Sequence, residues 1–164
     1  MAAPADSDSL DGSAARRAPR ELTLVAHHVG PVGGMERVLS ELAAGLGERG
    51  YRVTVIAYAC DLPAAAGVTF RRVRGPSRPF VLSYPWFMLA GTLAVRRWRR
   101  GLVMAVGAVV CNEVDLVAIH YCQQVGPATP SRSNWLFRLN VAVSARLGKL
   151  AERVCFRLNR PRWF

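Results

Sequence analysis

The stretch from Glu21 to Ala57 constrains the fold more than any other part of the chain. It reads ELTLVAHHVGPVGGMERVLSELAAGLGERGYRVTVIA. Leu22 to Ala26 is a continuous apolar-rich run, the pattern of a central parallel strand covered on both faces. Gly30 and Pro31 break that pattern. From Met35 the apolar residues fall at Met35, Val38, Leu39, Leu42, Ala43 and Leu46, which is one face of an α-helix. Glu36, Arg37, Ser40, Glu41 and Glu48 occupy the opposite face. Gly50 supplies a helix exit, and Tyr51 to Tyr58 reads as a second strand. The whole is one βαβ unit, for which a right-handed crossover is expected.

Two glycines, Gly33 and Gly34, stand where the first strand hands over to the helix. Free backbone N–H groups and the helix dipole point out of such a junction, and open α/β sheets bind phosphate-bearing ligands there. A tight connection is the simpler use of the same glycines. The order Gly30-x-x-Gly33-Gly34 lacks the dinucleotide spacing, and no acidic residue ends the second strand. No Gly-Lys-Ser/Thr follows, which excludes a P-loop.

Downstream, Asp61 to Gly67 reads as a loop, Val68 to Val73 as a short third strand with Arg71 and Arg72 in it, and Gly75 to Pro79 as a turn. Pro79 to Val95 carries no charge and is flanked by Arg78 and by Arg96-Arg97-Trp98-Arg99-Arg100. This run is short for a membrane span and has Pro85 near its middle. A core-covering helix from about Pro85 to Arg100 is the plainer reading. Docking on a lipid surface is the alternative, since Trp86, Phe87 and Trp98 beside arginines are residue types that settle at an interface. Solvation of a helix end would also account for the arginines, because cations favour a helix C-terminus.

Leu102 to Val110 forms a fourth strand candidate, broken by Gly107. Asn112 and Glu113 mark a turn, and Asp115 to His120 is a fifth strand. A last helix begins at Ser133 or Asn134 as N-cap, with an apolar face of Leu136, Leu139, Val143, Leu147, Leu150 and Val154. This order predicts an α/β fold: a Rossmann-like, mostly parallel sheet with helices on both faces.

The 164 residues suffice for one domain, and the net charge is +11. Lys149 is the lone lysine; the other basic residues are arginines. Such basicity admits nucleic acid, an anionic membrane surface or phosphorylated substrates as partners. No RNP, KH or finger motif appears, which argues against nucleic acid. Cys60, Cys111, Cys122 and Cys155 form no CxxC pair and no zinc spacing. Buried free thiols in a reducing compartment are expected. Residues 1–20 are rich in Ala, Ser, Asp, Pro and Arg without an apolar core, and read as a disordered leader rather than a secretory signal. The domain then runs over 21–164.

The motif Gly33-Gly34-Met35-Glu36-Arg37-Val38, set between two strands with Arg49-Gly50 before the second, resembles the amino-terminal signature of glycosyltransferase family 4, retaining enzymes of the GT-B fold. Asp115, His120, Tyr121 and Cys122 resemble a second signature of that family. The resemblance implies the acceptor-side half of a GT-B fold and transfer of a sugar from a nucleotide-sugar donor to a glycan or lipid-linked acceptor, with retention. It implies that Gly33 and Gly34 approach the donor diphosphate and that His120 positions the reacting groups. His28, Glu36 and Arg37 are secondary donor-side candidates; which of His27 and His28 faces the ligand depends on strand register. Asp115, at the opposite strand end from His120, reads as a strand-entry residue. No cofactor or metal is implied. The family's carboxyl-terminal half, with two glutamates separated by seven residues, has no counterpart in this sequence, so little activity is expected of this chain alone. Trp86, Arg96, Arg97, Trp98, Arg99 and Arg100 are candidates for docking on the inner face of the cell membrane, and the expected location is cytoplasmic. The rival reading is a non-catalytic basic module that binds a membrane surface or an anionic partner.

Overall fold

A computed structural model describes residues 20–62, 67–119 and 135–158. The expected leader, His120 with Tyr121 and Cys122, and the N-cap of the last helix lie outside the described residues.

Five strands form one parallel sheet in the order β5-β3-β1-β6-β7. They are β1 (Glu21–Val25), β3 (Arg52–Ala57), β5 (Val68–Arg72), β6 (Leu102–Val106) and β7 (Leu116–Ala118). β1 is central: Leu22 lies opposite Val53 on one side and Leu102 on the other. Alternate residues of a strand face opposite sides, and here both sides are covered. Leu24, Val53 and Val55 pack under α1 (Gly34–Glu48) against Leu39 and Ala43. Val25, Ile56 and Val103 pack under α2 (Phe80–Trp98) against Phe87, Ala94 and Val95. α3 (Trp135–Leu158) lies beside α2, with Ala151 and Cys155 set against Tyr84 and Met88.

α1 ends as its sequence requires. The Gly50 N–H donates to the Gly47 carbonyl at 2.9 Å and the Tyr51 N–H to Leu46 at 3.0 Å, a Schellman closure with Gly50 at φ 80°. Asp115 has the strand-entry role expected of it. Its carboxylate accepts from the Val103 N–H at 2.8 Å and its own N–H donates to the Val103 carbonyl at 2.9 Å, which pins the start of β7 to β6.

Several expectations need correction. α2 starts at Phe80, not Pro85. Pro85 lies early in the helix, where it removes a single backbone donor without ending it. β6 stops at Val106 because Gly107 takes φ 71°. The buried face of α1 is rotated from the one expected: Ser40 is buried and Val38 is 52% exposed. α3 departs further. Of its expected apolar face, Leu139, Leu150 and Val154 are exposed, while Gly148, Ala151 and Cys155 are buried. Close helix packing selects the small residues, not the large ones.

Among the described residues the expectation of buried thiols holds for Cys155, while Cys60 and Cys111 are half-buried. All three are free. Burial, reinforced by Cys111 with its Sγ at 4.0 Å, pushes the Cys155 thiol well above its usual range. Thiolate is the reactive form. At pH 8 we expect iodoacetamide to label Cys155 about a hundredfold more slowly in the native chain than in urea, read by peptide mass spectrometry. Equal rates would show that Cys155 is not enclosed.

Candidate functional site

β1 and β3 do not simply end. Both kink and resume as a short second parallel pair, β2 (His28–Val29) with β4 (Ala59–Cys60). Backbone bonds bridge the kink: Ala26 N–H to Ile56 O at 3.2 Å, Tyr58 N–H to His27 O at 3.0 Å and Asp61 N–H to Val29 O at 2.8 Å. His27 and Tyr58 stand at the kink. The His27 ring meets Phe87 edge-on at 4.5 Å and Tyr84 at 5.4 Å. Burial, helped by the neighbouring His28, lowers the His27 pKa to about 4. At neutral pH the imidazole is therefore uncharged. Its Nε2 is buried and has no hydrogen-bond partner among the described residues.

His27 opens into a cavity of about 170 Å³ walled by Met35, Tyr84, Val106, Ala108 and Ile119. The cavity lies at the carboxyl ends of β1 and β6. These neighbours are where the strand order turns back: from β1 the chain crosses first to β3 and later to β6. Open α/β sheets place ligands at this switch point. The Tyr84 hydroxyl donates to the Ala108 carbonyl at 2.7 Å, and burial pushes its pKa up, so it stays protonated. Glu152 of α3 is buried on the same wall. At this volume the cavity admits one chemical group; whole small-molecule sites span about 300–1,000 Å³.

The glycine turn adjoins the cavity through Met35. Gly33 takes φ 96°, which side chains rarely adopt, and a Cβ there would collide with the Glu36 carboxylate. Gly34 opens the helix with free space around it. Glu36 thus covers the turn from the first helical position able to fold back over it. Arg37 points away and pairs with Glu41 at 2.8 Å on the exposed face of α1. His28 is exposed and opens into a different cavity, with Tyr58, Arg72 and Arg74. Trp86 donates its indole N–H to the Arg74 carbonyl at 2.9 Å and keeps half its surface exposed. Arg97, Trp98, Arg99 and Arg100 lie at the amino ends of the strands, at the far end of the sheet from the cleft, and Arg96 is exposed beside them.

Sequence reasoning missed Tyr84 and Glu152. Tyr84 stands three residues before Phe87 on one helical face, a spacing that would have brought it to the same wall. Glu152 carries no such signal, because the buried face of α3 was itself misread.

The family model described as Glycosyltransferase Family 4 matches residues 32–144, more than half of the chain. The chain belongs to glycosyltransferase family 4. The match begins within the glycine turn and takes in β6 and β7. The fold of this family 4 domain is similar to that of WaaG, described as a glycosyltransferase involved in lipopolysaccharide biosynthesis. The TM-score is 0.58 at 15% identity, over 81% of this chain and 35% of WaaG. The family 4 domain therefore spans about a third of that structure. No curated protein sequence matches it.

Proposed function

We propose that this domain forms the acceptor-side wall of a cleft that moves a sugar from a nucleotide-sugar donor to an acceptor hydroxyl, with retention of configuration. One observation carries the reading: a neutral, half-buried histidine, its Nε2 buried and unpartnered among the described residues, lines the cavity at the switch point beside the glycine turn. A neutral imidazole can donate or accept a hydrogen bond to a hydroxyl without desolvating a charge. In this reading Gly33 and Gly34 offer backbone N–H groups to the donor diphosphate. Glu36 has to swing aside when the diphosphate arrives. His120 positions the reacting groups, and the acceptor is a glycan or a lipid-linked sugar. A donor-binding half completes the cleft, so the 164-residue chain alone is expected to turn over little.

Methyl NMR tests the site directly. Adding millimolar nucleotide sugars and glycan acceptors should shift the Met35 methyl signal while leaving Met104 in place. If no compound moves Met35, the cleft assignment fails. Robust transfer by the purified chain would refute the half-cleft reading, and an inverted product would refute retention.

Docking of the same domain on the inner face of the cell membrane has its own support. Leu82, Trp86, Leu89 and Leu93 are 59%, 48%, 69% and 64% exposed. Their spacing places them on one stripe of α2 that runs down to the arginines, an arrangement suited to an anionic interface. No helix among the described residues is long and apolar enough to cross a membrane. We expect the chain to float with vesicles containing phosphatidylglycerol and to lose at least about tenfold in binding when Arg96, Arg97, Arg99 and Arg100 become Gln. Unchanged flotation of that variant would remove the docking reading.

A further inference from the structure

The arginines at the end of α2 do more than solvate a helix terminus. They wall a cavity of about 560 Å³ at the amino ends of β1, β3 and β5, where Arg52, Arg71, Arg97, Arg99 and Arg100 converge. The one carboxylate on the lining is Glu21, already paired with Arg52 at 2.7 Å. Among the described residues no other ion pair reaches these arginines.

Their backbone is held in place from the sheet. Thr23, fully buried in β1, donates its hydroxyl to the Arg100 carbonyl at 2.9 Å and accepts from the Arg100 N–H at 2.8 Å. Gly101 takes φ 58° and lies so near the Glu21 carbonyl that a Cβ would collide with it. Arg71 projects from β5 with its guanidinium 5.9 Å from the Trp98 ring. Guanidinium groups gathered in this way repel one another unless an anion enters. Their planar forks match phosphate oxygens two at a time. An apolar groove along α2, lined by Val73, Ala90, Leu93 and Ala94, shares Arg97 and Trp98 with the cavity.

We propose that this cavity is a second ligand site, separate from the glycosyl-transfer cleft, that takes a phosphate monoester or diphosphate group. The group arrives either on a lipid headgroup, whose chain follows the adjoining groove, or on a soluble compound. The proposal does not depend on sugar transfer.

Calorimetry with inorganic pyrophosphate on the full chain tests it. Saturable one-to-one binding is expected at physiological salt. Arg71→Gln and Arg100→Gln should each weaken it at least tenfold, and Arg153→Gln, an equal charge change on the exposed surface of α3, should weaken it less than twofold. Circular dichroism confirms that each variant is folded. Absent binding, or equal weakening by Arg153→Gln, overturns the site. Vesicles separate the sources: stronger flotation with phosphatidic acid than with phosphatidylglycerol at matched charge, lost in Arg71→Gln, assigns a lipid headgroup. Equal flotation alongside pyrophosphate binding assigns a soluble phosphate. The four-arginine docking variant also removes Arg97, Arg99 and Arg100 from this lining, so Arg71→Gln, which leaves those four arginines in place, is the variant that reports on the site apart from general membrane docking.

Discussion

Phe87→Ala should cost about 3–5 kcal/mol of folding stability, the range for emptying a buried aromatic position. Phe87 is 0% exposed and, among the described residues, is the largest of the fully buried side chains. Its ring joins α2 to the kink in the sheet: it lies 4.8 Å from Tyr58 and 4.5 Å from His27, and its edge lies against Gly91 within α2. Truncation leaves a void where α2 crosses the sheet, and the parallel strands beneath cannot collapse into it. Domains of this size have about 5–15 kcal/mol in total, so the variant would be marginal. Phe87→Leu keeps most of the volume and should cost below about 1.5 kcal/mol. Urea titration of both variants measures the difference. A loss under about 1 kcal/mol for Phe87→Ala would mean that α2 does not seat on the sheet as described.

Acid should destabilise the chain through His27. The folded state holds its pKa at about 4 against an ordinary 6.5. Above 6.5 the imidazole is neutral in both folded and unfolded chains and contributes no pH dependence. As pH falls from 6.5 towards 4, the unfolded chain takes up the proton first, so stability falls with it. The full shift is equivalent to about 3 kcal/mol, since one pKa unit is about 1.4 kcal/mol. Urea midpoints of the native chain and of His27→Gln, compared at pH 7 and pH 4, isolate this contribution from the carboxylates. Equal pH slopes would show that His27 is not buried in its neutral form. The Phe87→Leu variant adds a check: a looser wall around the ring should move the His27 pKa back towards 6.5, visible in its NMR titration.

The βαβ unit was legible to within a few residues because each boundary carries its own local chemistry. Gly33 needs positive φ, Gly50 closes the helix, and β1 and β3 are apolar on both faces. Asp115 was legible for the same reason, as a polar residue at the edge of an apolar strand. What depended on tertiary contact was not. Pro85 looked like a start signal, yet a single missing donor leaves the helix intact. On α3 the large apolar residues drew the expected face, but the helix approaches α2 through Gly148, Ala151 and Cys155. The choice between His27 and His28 rested on a kink shared by two strands far apart in sequence. Only the pairing of β2 with β4 shows that His27 opens at the switch point and His28 elsewhere. The arginine cluster was visible at once, but not its cavity, because Arg52 and Arg71 join it from other strands.

α2 walls the cleft with Phe80 and Tyr84 at one end and the arginine cavity with Arg97 and Trp98 at the other. Over its 19 residues it is about 28 Å long, at about 1.5 Å per residue. Between those ends is Gly91, where a Cβ would press on both Phe87 and Val110 at 3.2 Å. The helix is tied down near both of those ends as well, by the Tyr84 hydroxyl on the Ala108 carbonyl and by Thr23 on the Arg100 backbone. The two sites are therefore mounted on one rigid strut that fixes the distance between them.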